Sequence, residues 1–390
     1  MRKTAINKIM ALALAAALAL SLAGCGGAGG ASGGKTLKIG ALFNVTGGQA
    51  SLDDPGHRGF KLAAEQINDK GGINGRKIEI VSYDGKTDQT TCASNTKKLV
   101  DVDKVIAIGG LSDSNYAMAA GAVAQEAGIP FVFSGATTPS LPVQIGNFVF
   151  LTAFGDDTCG WGCADYMYND LKLTKCYLLT DMSMEFTTTL AKEFRARFEK
   201  LGGQIVLEDT YMNKDLDFTA QIDRYLADSK GAEFLFFSGV PDDAGPLITQ
   251  FRAKGVKETI ISGDGFDTPL LWEIGGAASE GVIVGTHCSF ENQDPKVQDF
   301  VKTYNAKYGH APENAFAALG YDAMLIIAEA IGKCGDSVTS ASIRDNLEKI
   351  DGFKVVTGTI SYKSGHVPSK SVTINIVKDA RFDFITEVNP

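Results

Sequence analysis

Residues 129–139 read IPFVFSGATTP. Phe131, Val132 and Phe133 make a short uninterrupted apolar run, the pattern of a strand buried on both faces of a parallel sheet. The run breaks at once into Ser134, Gly135, Ala136, Thr137 and Thr138, small residues with free hydroxyls, and Pro139 stops any regular structure. Taken alone, the stretch is a capped turn behind a core strand. In an open α/β sheet, however, the carboxyl ends of strands at a topological switch point are where ligands sit. A loop of Gly, Ala and Thr there lets a small polar molecule approach backbone and hydroxyls closely.

The flanking sequence repeats the strand pattern. Upstream, strands are expected at 37–43, 77–83 and 105–108, with helices at about 55–68, from a cap at Thr87 or Asp88 to 100, and from the Gly109–Ser114 loop to about 126. Downstream, strands are expected at 148–151, 176–180, 205–211, 234–238, 259–262 and 282–286. Helices are expected at 157–171, 186–201, 218–229, 242–254, 295–308, 315–331 and 340–349. Near the end, 353–357, 359–362 and 372–377 read as strands with Gly turns. Strands alternating with helices at this rhythm mean an α/β fold of doubly wound parallel sheet, long enough for two domains.

The front of the chain is different. Arg2, Lys3 and Lys8 flank or precede an apolar run over 9–20, followed by Ser21-Leu22-Ala23-Gly24-Cys25. That is a secretory signal, and its apolar part is shorter than the ~20 residues a spanning helix needs. Leu-Ala-Gly-Cys resembles a bacterial lipobox, which implies cleavage before Cys25 and lipid on its sulfur. The Gly- and Ser-rich run 26–34 reads as a flexible tether. The mature protein is expected to be exported and held at the extracytoplasmic face of the membrane.

Lys and Arg number 37 against 46 Asp and Glu, for a net charge of −9. No basic face interleaved with aromatics is present, so nucleic acid is not an expected partner. Cys92, Cys159, Cys163, Cys176, Cys288 and Cys334 could pair in fifteen ways, or stay as buried thiols. Cys159 and Cys163 have no second Cys or His pair to complete a zinc site. His57, His287, His310 and His366 show no paired metal spacing, Gly85-Lys86-Thr87 lacks the leading glycine of a phosphate loop, and no G-x-S-x-G elbow occurs. No catalytic residue, metal or cofactor is expected, and the chain does not read as an enzyme.

Several motifs fall in one order and spacing: 35–40, Thr46-Gly47, Ile67-Asn68 with Gly71-Gly72-Ile73-Asn74-Gly75, and Tyr83-Asp84. They continue with Gly135-Ala136-Thr137-Thr138-Pro139, Asp217-Phe218, Gly263-Asp264-Gly265 and Gly320-Tyr321-Asp322-Ala323. In this the chain resembles bacterial branched-chain amino-acid binding proteins, the type I solute-binding proteins of ABC importers. The resemblance implies two lobes joined by three crossovers, near 151–154, 285–289 and 357–362, with a ligand between them. It divides the chain into a signal peptide 1–24, a lipidated Cys25 and tether 25–34, lobe one at 35–152 with 288–357, and lobe two at 153–287 with 358–390.

The resemblance also implies a site. A ligand carboxylate would lie at a helix N-terminus after the third strand, where bare N–H groups and the helix dipole favour an anion. Ser112, Asp113 and Ser114 occupy that place, with Ser114 the foremost donor. Ala136 would offer backbone groups, Thr137 a hydroxyl and N–H, and Asp264 would pair with the ligand's ammonium. By itself Asp264-Gly265 reads as a turn. Leu52 and Val240 would wall the site where relatives place aromatics, and Glu185, or Met184, stands where a tyrosine often faces the ligand. Acids at 113, 185 and 264 would also suit a ligand with more than one cationic group. The expected partners are an amino acid, an ABC permease and ATPase, and the membrane through the lipid. The alternative is a sensor for a small amide, polyamine or aromatic acid; no spanning segment follows Pro390, which favours transport.

Overall fold

The computed structural model describes residues 36–390; the signal segment, Cys25 and the tether reading lie outside them. Strands β1 (Leu37–Phe43), β2 (Ile78–Asp84), β3 (Ala107–Gly110), β4 (Phe131–Phe133) and β5 (Val149–Leu151) form one sheet in the order β2-β1-β3-β4-β5. Every neighbouring pair in it is parallel. The chain runs outward from β1 to β2 and then restarts on the other side at β3, so the switch point lies between β1 and β3. β4 is buried throughout, as its unbroken apolar run requires.

A second sheet holds β6 (Lys175–Asp181), β7 (Gln204–Tyr211), β8 (Phe234–Ser238), β9 (Thr259–Ser262) and β10 (Ile283–Thr286). β11 (Phe353–Val355) and β12 (Gly358–Ile360) pair only with each other, whereas β13 (Val372–Lys378) and β14 (Arg381–Val388) extend the second sheet to the order β14-β13-β10-β9-β8-β6-β7. β13 and β14 are its antiparallel members. The α/β reading of parallel-sheet lobes therefore holds.

Three departures from the sequence expectation have clear causes. The first helix begins at Ala50 and not near 55, with Pro55 inside it. Proline lacks the N–H that would bond the carbonyl four residues back, and Asn314 Nδ2 donates to that Ser51 carbonyl instead, at 2.8 Å. β14 was not expected. Its hairpin turns on Asp379 and Ala380, both at positive φ (51° and 56°), the type I′ geometry that usually announces itself with Asn-Gly or Asp-Gly. The third crossover also falls later than 357–362. Tyr362 Oη donates to Leu151 O at 2.8 Å and Leu151 N donates to His366 O at 2.9 Å, so this segment covers the open edge of β5 before the chain moves on to β13. Residues 358–366 thus pack with the first sheet, not the second.

The helix Ala315–Gly332 returns, late in the chain, to the first sheet's core, where Met324, Ile327 and Ile331 join Ile39, Phe60 and Val132. It crosses the helix Ala50–Asp69 at backbone contact. A Cβ on Gly59 would sit 1.9 Å from Ala317 O, and one on Gly320 1.9 Å from Gly56 O. Gly320 is therefore a close-approach glycine. The six cysteines of the described residues are all unpaired.

Candidate functional site

The carboxyl ends of the two sheets face one crevice. Gln49, Leu52, Ser112, Asp113, Thr137 and Phe316 line it from the first lobe, and Phe186, Val240, Pro241, Asp264 and Gly265 from the second. Ser112, Asp113, Thr137, Asp264, Leu52 and Val240 are thus brought together. Ser114, Ala136 and Glu185 are placed elsewhere.

On the first lobe the chain leaves β3 through two left-handed residues, Gly110 (φ 137°) and Leu111 (φ 57°). A Cβ on Gly110 would collide with Leu42 O, and a non-glycine such as Leu111 adopts this conformation only when its surroundings enforce it. Leu111 N donates to Leu42 O at 2.9 Å, which supplies that enforcement. The turn aims Ser112 at the crevice, where its Oγ is buried beside the Asp53 carboxyl but forms no hydrogen bond of good geometry with it or any other group. Asp113 caps the helix Ser114–Ala127, accepting from Asn115 N at 2.8 Å. Burial, together with the Asp53 and Asp181 charges, pushes its carboxyl up to about 7. Asp113 is therefore both cap and crevice wall.

Ser114 has a different task. Its Oγ accepts from Thr138 N at 3.1 Å, tying the loop after β4 to the start of the helix. That loop is fixed further by Ser134 N to Gly110 O (2.9 Å), Asp156 N to Thr137 O (2.8 Å) and Thr138 Oγ1 to Asp156 Oδ2 (3.0 Å). Ala136 is fully buried and its side chain joins the apolar cluster with Leu111 and Phe133. A Cβ on Gly135 would press on Phe316 and lie 2.9 Å from Ser112 Oγ, so the glycine in this loop gives the Ser112 hydroxyl its room. Thr137 is left on the crevice face.

On the second lobe Asp264 opens a short 3-10 turn after β9, so its backbone does serve as a turn residue. Its side chain is 2% exposed. Oδ2 is bonded to His287 Nε2 at 2.8 Å, and Oδ1 is buried with no partner. Burial lowers the His287 pKa, which keeps that ring neutral. Glu185 is exposed. Its backbone N–H, not its carboxylate, reaches the first lobe, donating to Asn115 Oδ1 at 3.0 Å. A carboxylate at a helix start is better solvated than buried, and its neighbour Phe186 takes the crevice position. Nothing in the sequence marks Phe186, Gln49 or Phe316 as site residues, and His287 is read there only as a histidine without metal spacing. Phe316 and His287 meet the site only through long-range packing, and a lone histidine carried no spacing signal.

The lobes touch directly across the crevice mouth. Ala315 N donates to Asp267 Oδ2 at 3.2 Å and Thr268 Oγ1 donates to Ser51 Oγ at 2.9 Å. In this conformation the crevice is nearly closed, with a cavity of about 10 Å³. The lobes must part to admit a small molecule, which would then lie between hydroxyl and amide donors on one side and a carboxylate on the other. Apolar walls complete the crevice, and none of its lining residues is a Lys or Arg.

A profile of the periplasmic binding protein family matches residues 36–381. An amino acid binding protein of Pseudomonas aeruginosa is 32% identical over 300 residues, covering 76% of this chain and 78% of that one. The crystal structure of a leucine binding protein from Thermotoga maritima superposes with a TM-score of 0.85 at 30% identity, over 91% of this chain and 99% of that one. A branched-chain amino acid transporter substrate binding protein from Streptococcus pneumoniae, solved in complex with isoleucine, gives 0.85 and 30% over 91% and 100%. The chain belongs to the periplasmic binding protein family, with the type I fold, and is a solute-binding protein and not an enzyme.

Proposed function

We propose that the protein is the lipid-anchored, extracytoplasmic binding component of an ABC importer, and that it captures a small amino acid with an aliphatic side chain between its lobes. The observation that carries this reading is the pair of unpartnered buried acceptor and donor groups on opposite walls. Asp264 Oδ1 stands on one lobe and Ser112 Oγ on the other. A buried polar atom without a partner costs free energy, and a zwitterion's ammonium and carboxylate would satisfy both at once. Thr137 adds a hydroxyl on the carboxylate side. Leu52, Val240, Phe186 and Phe316 supply an apolar surround of the kind an aliphatic side chain fills. The similar proteins named for leucine and the isoleucine complex point the same way.

Capture by closure of two lobes about 152–155, 287–290 and 361–371 follows the hinge pattern of such folds. Delivery to a permease and attachment through Cys25 follow from the sequence reading. Asp113, a second acid on the crevice, favours a competing ligand with an additional cationic group, so diamines belong in the same screen.

The test is a thermal-shift series on mature protein stripped of ligand by unfolding, against the twenty amino acids and small diamines. One aliphatic amino acid at a hundredfold excess over its Kd should add about 2.7 kcal/mol. A shift given only by diamines would overturn the amino-acid reading. For the anchor, Cys25→Ser should release the protein from the membrane fraction; retention there would count against lipidation.

A further inference from the structure

We propose that His287 is a positioning residue for Asp264: its imidazole engages one carboxylate oxygen so that the other alone is presented to the crevice. This rests on the reading of Asp264 as the partner of a ligand ammonium.

The imidazole is the one hydrogen-bond donor to the Asp264 side chain among the described residues, at 2.8 Å, with side-chain exposures of 0% for the histidine and 2% for the aspartate. Oδ1 has no partner. The ring is held from three parts of the chain. His287 follows β10 on the second crossover. Phe154, from the first crossover, lies 4.0 Å away centroid to centroid, and Phe316, from the first lobe, meets it edge-on at 5.9 Å. So clamped, the ring cannot swing, and neither can the carboxylate it holds.

The proton has one sensible place. A neutral imidazole donating to a carboxylate carries its hydrogen on Nε2, which leaves Nδ1 as a lone pair, and Nδ1 indeed has no partner. Asp264 and, more weakly, Lys370 are the charged groups acting on the ring, while Asp156 and Asp267 lie close enough to Asp264 to feel its charge. Burial keeps the ring neutral against the pull of Asp264. That neutrality is the functional point. An imidazolium would already cancel the Asp264 charge and compete with the ligand's ammonium. A neutral donor steadies the ionised carboxylate and leaves its charge for the ligand. A side chain needed only to fill space between Phe154 and Phe316 would be apolar, since an orphaned ring nitrogen is a burden in a core.

The experiment uses the ligand-free mature chain and His287→Gln, His287→Leu and Asp264→Asn variants. L-leucine is the calorimetric probe from pH 5.5 to 8, and 15N–1H spectra report the imidazole. The wild-type ring should show the Nε2–H tautomer and titrate below the ordinary histidine range. Gln, whose amide can donate to Oδ2, should keep leucine affinity within about threefold, whereas Leu should lower it by about thirtyfold, the scale of one charged hydrogen bond. The His287→Leu loss should persist across that pH range, because it comes from the lost orientation of the carboxylate. Its unfolding midpoint should not fall.

The proposal is overturned if His287→Leu binds leucine with wild-type affinity, or if the ring titrates near its ordinary pKa or carries its proton on Nδ1. Unchanged binding by Asp264→Asn, or no leucine binding by the wild type, would strike the amino-acid reading instead. The spectra would still decide whether the imidazole holds Asp264.

Discussion

Asp267 of the second lobe accepts a hydrogen bond from Ala315 N of the first, at 3.2 Å, with the same oxygen taking the Thr286 hydroxyl at 2.5 Å. The acceptor sits at the N-terminus of the helix Ala315–Gly332, where a free backbone N–H and the helix dipole welcome an acid. The bond ties the two lobes together in this conformation, and the expectation it carries is that Asp267 acts as a latch. Asp267→Ala should therefore favour opening. Of the two donors left unpaired only Ala315 N bonds across the lobes, so its loss, about 1–3 kcal/mol, is what weakens closure, and ligand affinity should fall roughly tenfold. Small-angle scattering of the ligand-free variant should show a larger radius of gyration than the wild type; an unchanged radius and affinity would dismiss the latch.

Ser112 and Ser114 are two residues apart and have different partners, so their alanine variants should separate. Ser112→Ala removes a hydroxyl that makes no well-formed internal bond and should leave the unfolding midpoint nearly unchanged while ligand affinity drops. Ser114→Ala strands Thr138 N and should lower stability by about 1 kcal/mol. Calorimetry beside thermal melts distinguishes them, and the reverse pattern would return the carboxylate contact to Ser114.

The glycine crossing makes a packing prediction. Gly320→Ala places a methyl 1.9 Å from Gly56 O, a backbone atom that cannot rotate away. The two helices must separate, at a cost of about 3 kcal/mol, the upper end for overpacking. Urea melts should show the loss. A neutral result would mean the helices do not cross where Gly56, Gly59 and Gly320 meet.

Stability should fall from pH 6.5 to pH 7.5. Burial raises Asp113 and Asp267 to about 7 and Asp53 and Asp243 to about 6. An acid whose pKa is raised on folding holds its proton in the native state after the unfolded chain has released it. Its contribution is complete below the unfolded value near 4 and is lost as pH climbs through the folded one. His57, lowered to about 4 by burial, acts in the opposite sense, but only below its unfolded pKa of about 6.5. His287 and His366, lowered by burial, act in the same sense as His57, and Lys370, lowered to about 8, opposes the aspartates as pH approaches 8. The aspartates therefore dominate from pH 6.5 to 7.5, where Tm should fall. Asp113→Asn with Asp267→Asn should flatten that slope, and a Tm that rises over this interval would refute the assignment.

The third crossover shows where local reading stops. Residues 359–362 look like a strand of whatever sheet comes next, and nothing nearby says that β5 has an open edge to be covered first. Likewise, a positive-φ pair at Asp379 and Ala380 is invisible in residue types that seldom adopt it, so β14 had no announced turn.

The amino-acid sequence by itself determined the alternation of strands and helices, and hence the parallel sheets, because apolar runs and periodicity are properties of neighbours along the chain. It also marked the loop after β4, since small residues behind a buried strand are legible one by one. Only the tertiary structure decided that Ser112 and not Ser114 is left unpaired, that Phe186 displaces Glu185 from the crevice, and that His287 grips Asp264. Those outcomes depend on which groups meet across distances of tens to hundreds of residues, where burial and competition for hydrogen-bond partners, not local pattern, set the result.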